Sequence, residues 1–311
     1  MQPRMLALAL AAVALVLVVG ALSAPQVRAP PWVLVEWVVY VNPTGGADFA
    51  YGVCVFGDYV AAVGVAGGSP LSAAAMTATS VEAGWPSVLQ HAVGKLYVVF
   101  LRKSDGEVAA EWAGPEQGEL YNCASAGGRL YVAGTIFLAE GFQGVVIAFG
   151  RNLSLLGEAR GGAGSEYYSL AYWGGALYIG GAAYEDVDGD GRPERVWLVE
   201  KRDAGSLSVV ASRSFRLGGP WLEGSVLDIG VEPSTGMVWA VGFYRDERGW
   251  HSLAVVFDGD LREAAVISFP EGAQGHLGVL KGVAFDGMGH AYVLGQLGVA
   301  KLGAGGELVA V

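Results

Sequence analysis

Histidine and cysteine are nearly absent from this chain, with four and two residues among 311. Two cysteines are too few for a disulfide-dense scaffold. His91, His251, His276 and His290 sit in no nucleophile or metal motif, which leaves little general-base chemistry at neutral pH. No GxSxG elbow, HExxH pair or lysine-bearing phosphate loop is found. A catalytic role is therefore not the first expectation. Basic residues are also short, 19 Lys and Arg against 30 Asp and Glu, for a net charge of −11. That balance leaves no broad positive surface for a phosphate backbone, so nucleic acid is excluded as the expected partner. Past residue 22 there is no apolar run long enough to span a bilayer and no amphipathic helical pattern, which argues against folds that need helical crossovers.

What is abundant is glycine, 49 residues, in a chain that is 53% hydrophobic and only 16% charged. That combination suits many short buried strands joined by tight turns. Residues 1–24 carry one positive charge at Arg4 and then an apolar run from Met5 to Leu22. This is the pattern of a secretory leader. Small residues at Ala21, Ser23 and Ala24 suit cleavage, and the run is long enough to anchor the chain if retained, so signal peptide and membrane anchor both stand. Membrane contact is expected only through residues 5–22. Export would permit one disulfide between Cys54 and Cys123. Aligned on the repeat below, however, they fall one position apart on equivalent strands, and two buried thiols are the alternative.

A unit recurs that reads apolar strand, Gly-containing turn, and a strand ending in an aromatic-apolar-apolar-Gly pattern. Its copies lie at 53–64, 123–134 (CASAGGRLYVAG), 170–181 (LAYWGGALYIGG), 226–242 and 279–295. A second unit, strand, polar turn and strand, follows each one at 96–112, 144–158, 195–215, 251–269 and 298–311. Each pair supplies four short antiparallel strands, apolar at nearly every position. Such sheets bury both faces only by packing side by side about an axis. The expected fold is all-β: a β-propeller of about five four-stranded blades over residues 49–311, preceded by a hydrophobic leader helix (1–24) and by a linker and closing strand (25–48). Six blades is the alternative, because residues 91–99 (HAVGKLYVV) also look like a first unit.

GVAFDGMGHAYVLG and the following GVAKLGAGGELVAV resemble extracellular β-propeller repeats of the SBBP and NHL-like kind, and LYVAG and LYIGG resemble the strand-end glycines of kelch repeats. The resemblance covers roughly residues 49–311. It implies a scaffold rather than an activity. The later Tyr and Trp of the full kelch pattern are not kept, nor are sialidase Asp boxes or the repeated tryptophan motif of quinoprotein dehydrogenases.

The sharpest local motif is EDVDGDGRPER. Asp186, Asp188, Asp190 and Glu194, with the Arg192 carbonyl, offer hard oxygen ligands on a tight loop that Gly191 lets turn. They suit a structural Ca²⁺; a solvated acidic loop is the alternative. The motif resembles the Asp-rich calcium loops of integrin-type propeller repeats, with Glu194 where those usually place Asp. A second pattern pairs acids with aromatics in the blade-to-blade connections: Glu119 with Tyr121, Glu166 with Tyr168, Trp221 with Glu223, His276 near Glu271, and Trp85 in the extra segment. Together these read as a binding rim around one mouth, suited to stacking and charge-assisted hydrogen bonds, or else as bulky wedges and solubilising charges. Tyr244 and Trp250 extend it. Asn152-Leu153-Ser154 is a glycosylation sequon at a turn. The expected function is a noncatalytic, calcium-stabilised binding or scaffold propeller, secreted or anchored at the cell surface, with an envelope protein or glycan as partner. A structural lattice component and a glycan-acting hydrolase or lyase using a rim carboxylate pair are the alternatives.

Overall fold

The computed structural model describes residues 7–8, 38–45, 47–70, 92–186, 189–216, 223–269, 277–303 and 306–310. Most of the leader lies outside this set. Its described residues, Ala7–Leu8 (β1), form a two-residue ladder with Val39–Tyr40 (β2), and the rest of the expected leader helix lies outside the described residues. The chain divides into two compact units, Met1–Glu119 and Leu120–Val311.

The first unit is built on an antiparallel meander of Ala47–Phe56 (β3), Tyr59–Pro70 (β4), Ala92–Arg102 (β5) and Val108–Ala126 (β6), the last running on past the unit boundary. Ala92–Arg102 is thus the third strand of this meander rather than the start of another. Val41 packs on the β4–β5 face, with Val60, Ala62, Tyr97, Val99 and Leu101.

In the second unit the end of β6 leads into Arg129–Leu138 (β7), Gly141–Gly150 (β8) and Leu155–Ala163 (β9). Three four-stranded meanders follow. The first is Ser165–Trp173 (β10), Ala176–Glu185 (β11), Glu194–Asp203 (β12) and Val209–Phe215 (β13). Next come Glu223–Val231 (β14), Val238–Asp246 (β15), Gly249–Phe257 (β16) and Glu263–Ser268 (β17). The last is Leu280–Phe285 (β18), Ala291–Gly295 (β19), Val299–Leu302 (β20) and Leu308–Ala310 (β21).

Within each meander the middle strands are buried and the last strand faces solvent, as in β11 and β12 against β13. Side chains alternate between faces along a strand, and here each middle strand feeds two cores. Leu177 and Ile179 of β11 join Tyr131, Ala133 and Val146 of the preceding sheet, whereas Tyr178 joins Val226, Val238 and Val255 of the following one. The same split recurs on β15, with Val238 and Ala240 facing back and Trp239 and Val241 facing forward onto Leu280, Ala291 and Val293. Sheets sandwiched this way explain why the strands read as continuous apolar runs. Each fully buried Leu, Val or Phe contributes about 1.5–3 kcal/mol.

Two backbone devices repeat. First, the opening strand of a meander carries a bulge, at Ala50/Gly52, Tyr167/Ser169 and Val226/Asp228. The carbonyl next to it folds over the neighbouring strand, so that a Cβ at Gly181 would lie 1.8 Å from the Glu166 oxygen, and one at Gly242 would lie 2.0 Å from that of Ser225. Only glycine fits beneath such a carbonyl, which is the physical reason for the strand-end glycines of the repeat.

Second, the turn between third and fourth strands always contains one left-handed residue: Gly106, Leu153, Leu207, Leu261 and Gly306, with φ between 61° and 84°. Its N–H donates to a carbonyl three or four residues back, as from Leu207 to Asp203 (2.8 Å) and from Leu261 to Asp258 (3.0 Å). A register shift at the end of the third strand accompanies each of these turns. The arrangement is a turn closed by a left-handed bulge residue. Leu207 and Leu261 bury their side chains in the core shared with the preceding sheet, and that burial offsets the torsional cost.

Candidate metal centre and aromatic-acid rim

The β11–β12 hairpin carries the acidic loop. Cα pairing brings Glu185 opposite Glu194, and the chain between them turns through Gly189 (φ 80°) and Gly191 (φ 84°). Asp186 accepts hydrogen bonds from the N–H of Gly189 (2.7 Å) and of Gly191 (3.0 Å), and Asp190 accepts one from the N–H of Arg192 (2.8 Å). This wrapping sets ligand atoms of Asp186, Asp190 and Glu194 within 4.8 Å of one another. Carboxylates held so close repel unless a cation joins them, and an all-oxygen set suits a hard divalent ion. Asp188 lies outside the described residues.

The rim residues fare unevenly. Trp85, Trp221 and His276 lie outside the described residues. In the first unit Glu119 is buried and accepts the Tyr51 hydroxyl at 2.8 Å. Burial, and then the Glu119 charge, push that phenol upward from its usual pKa. In the second unit Glu166 is buried and receives Nε and Nη2 of Arg195 at 3.2 and 2.9 Å, the Tyr184 hydroxyl at 3.4 Å and the Tyr168 hydroxyl. Arg195 also donates to the Tyr168 oxygen at 2.8 Å and stands 5.5 Å from the ring centroid. Tyr121 meets the Tyr168 ring edge-on at 5.1 Å. Burial, followed by the Glu166 charge, raises Tyr184 to about 12. Bulges re-aim side chains, and Tyr168, the residue skipped in the β10 register, is turned into this cluster.

On the adjoining strand Glu223 is half-buried and accepts Arg245 Nε at 2.8 Å; Arg245 in turn lies 5.8 Å from the Trp250 ring, which packs on Phe243. Tyr244 stacks on His251, whose Nε2 is 2.9 Å from Asp246. A single parallel bridge, Arg195 to Glu223, joins β12 to β14. The acids of the second-unit rim are thus held by Arg195 and Arg245, and in this arrangement Glu166 and Tyr168 fasten strands instead of facing solvent. Neither arginine stood out in the sequence, although Arg195 directly follows Glu194.

Two further buried groups carry no sequence signature. Glu200 and Arg202 pair at 2.8 Å with both side chains almost wholly covered, the Tyr167 hydroxyl bonds to each, and Arg202 also donates to the carbonyls of Leu207 and Arg160. Asp228, at the β14 bulge, accepts the N–H of Val283 in the next sheet at 2.9 Å. Burial raises its carboxyl to about 7 against the pull of backbone hydrogen bonds from Val283 and Ile229. Both cysteines are disulfide-bonded, as an oxidising compartment permits. In the sequon turn, Asn152 Oδ1 accepts from the Ser154 hydroxyl at 2.7 Å.

These features define an all-β, propeller-like protein made of antiparallel meanders. No protein-family model and no curated protein matches the chain. Among solved structures it is similar to U3-55K (11% identity, TM-score 0.48, covering 70% of this chain and 59% of that one) and to the quinohemoprotein alcohol dehydrogenase of Comamonas testosteroni (9%, TM-score 0.44, 70% and 45%). A protein of unknown function from Bacteroides caccae aligns at 10% identity and TM-score 0.33, covering 68% of this chain and 88% of that one. The chain thus spans about half the length of the first two. Scores at this level carry no functional meaning, and the fold rests on the strand pairing above.

Proposed function

We propose that the chain is a noncatalytic binding or scaffold β-propeller of the cell surface, with five four-stranded blades, one of them clamped by Ca²⁺ at the β11–β12 loop, and an envelope protein or glycan as its partner. The observation that carries the reading is the acidic loop, where two left-handed glycines bring Asp186, Asp190 and Glu194 within reach of one ion. With backbone carbonyls such as that of Arg192, these carboxylates supply the hard oxygens that Ca²⁺ takes. The ion would lock the loop rather than meet a substrate. Disulfide-bonded cysteines favour an exported chain. The engagement of Glu166 by Arg195, Tyr168 and Tyr184 favours a noncatalytic role, because that carboxylate already ties β10, β11 and β12 together.

A ligand that binds only the native state raises stability with the logarithm of its free concentration. The melting temperature should therefore climb with added calcium and fall with chelator, and Asp186→Asn/Asp190→Asn should abolish both responses. A melting temperature indifferent to calcium and chelator would remove the ion. Surface location is tested by a membrane-impermeant amine label on intact cells: the chain should be labelled, and protection until lysis would refute it.

A further inference from the structure

The hairpin ends opposite the acidic loop enclose an open cleft of about 470 Å³. The strand register fixes this placement. β10–β11 turns at Trp173 and Ala176, β12 leaves the same end at Asp203, and β14–β15 and β16–β17 turn beside them, with Val238 opposite Phe257. The acidic loop joins β11 to β12 at the far end of these strands.

Trp173, Tyr178, Lys201, Asp258, Asp260 and Gly236 give the cleft its chemistry. Trp173 is 38% exposed, a large apolar surface left facing the cleft. Its Nε1 edge abuts Gly236, where an added Cβ would come within 2.9 Å, so the glycine seats the ring. Lys201 is mostly covered. It stands 5.9 Å from the Tyr178 ring centroid and pairs with Asp260, on the next sheet, at 3.2 Å. Tyr178 donates to the Gly259 carbonyl, and Asp258 Oδ1 accepts the N–H groups of Asp260 and Arg262. Arg262 lies 3.8 Å from both aspartates. Arg262 does not line the cleft, so the lining itself sets two carboxylates, Asp258 and Asp260, against one ammonium, Lys201.

An exposed indole beside fixed carboxylates and an ammonium is the chemistry that holds a sugar ring. The apolar face of the pyranose covers the aromatic, while its hydroxyls donate to carboxylate oxygens and accept from Lys201. The excess carboxylate of the lining disfavours an anionic ligand, whereas a neutral sugar meets no such repulsion. Gly174, Gly236 and Gly259 add no side chains to the lining and so leave room for a sugar ring beside the indole. We propose that this cleft binds a sugar residue of a neutral glycan, independently of the metal loop and of the opposite rim.

The test uses the full chain with maltopentaose, cellopentaose and mannopentaose at millimolar concentration, read by saturation-transfer NMR and calorimetry. At least one should bind. Trp173→Ala should weaken it about tenfold, the loss of one aromatic stacking contact, and Asp260→Ala, at a 63%-exposed side chain whose removal the fold tolerates, should weaken it severalfold. Chelator added to the wild-type chain should leave sugar binding unchanged, which separates this site from the calcium reading. Saturation transfer to none of the three sugars would overturn the proposal. So would affinity that survives both Trp173→Ala and Asp260→Ala, or tighter binding of an oligogalacturonate.

Discussion

Tyr131 donates its hydroxyl to the carbonyl of Ala204, in the third-to-fourth-strand turn of the next sheet, at 3.0 Å. One meander further on, Tyr178 does the same to Gly259, also at 3.0 Å. These are the tyrosines of LYVAG and LYIGG. The repeat letter is a latch between consecutive sheets.

Removing the hydroxyl alone isolates that latch. Tyr131→Phe leaves the ring in place and the Ala204 carbonyl short of a donor, at a cost of about 1 kcal/mol. Tyr178→Phe should behave alike with a smaller loss, since its environment is wetter. Urea unfolding of both variants checks this; midpoints equal to wild type would show that the bonds add nothing to stability.

The left-handed turn residues separate torsion from packing. Leu153, only half-buried, should tolerate Leu153→Gly at near-neutral stability, because relief of about 1 kcal/mol of left-handed strain balances the lost contacts. Leu207 is 5% exposed, and Leu207→Gly should destabilise by about 2–4 kcal/mol as the cavity outweighs the relief. Equal effects at the two sites, in the same unfolding assay, would contradict the assignment.

The Glu200–Arg202 pair is buried with Tyr167. Arg202→Met strands a carboxylate in the core and should cost about 3–5 kcal/mol. Replacing both charges, Glu200→Leu with Arg202→Met, should recover most of that loss. A double variant as unstable as the single one would mean that the charges themselves are required.

Asp228 makes stability depend on pH in an unusual direction. Its folded carboxyl titrates near 7, above the ordinary 3.8, so between those values the folded state holds the proton more tightly than the unfolded state does. That contribution is fully present below about pH 4 and is lost as pH rises through 7. Asp228→Asn should therefore stabilise the protein at pH 8 by on the order of 2 kcal/mol, allowing for partial solvent access, and should flatten the decline between pH 4 and 7. A wild-type profile already flat over that window would refute the shift.

The strand pattern was open to sequence reading because glycine spacing and apolar runs are local signals. Gly181 and Gly242 appear as repeated letters, and the carbonyls above them explain why. The acidic loop was equally visible, since its carboxylates lie within nine residues. The rim was legible only in half. Glu166 and Tyr168 were seen, but Arg195 comes from a different strand, and a partner supplied by folding leaves no mark beside the residue it neutralises. Leu207 and Leu261 could not be read at all, because leucine is not a residue that announces a left-handed turn. The cleft at Trp173 was missed because its walls come from four separate hairpins.

Gly106, Leu153, Leu207, Leu261 and Gly306 are three leucines and two glycines, yet all five adopt one backbone sign. What recurs from meander to meander is therefore a torsion angle, met by leucine as well as by glycine. Such a module keeps its handedness while its alphabet erodes, so duplicated copies can come to look unrelated and still stack.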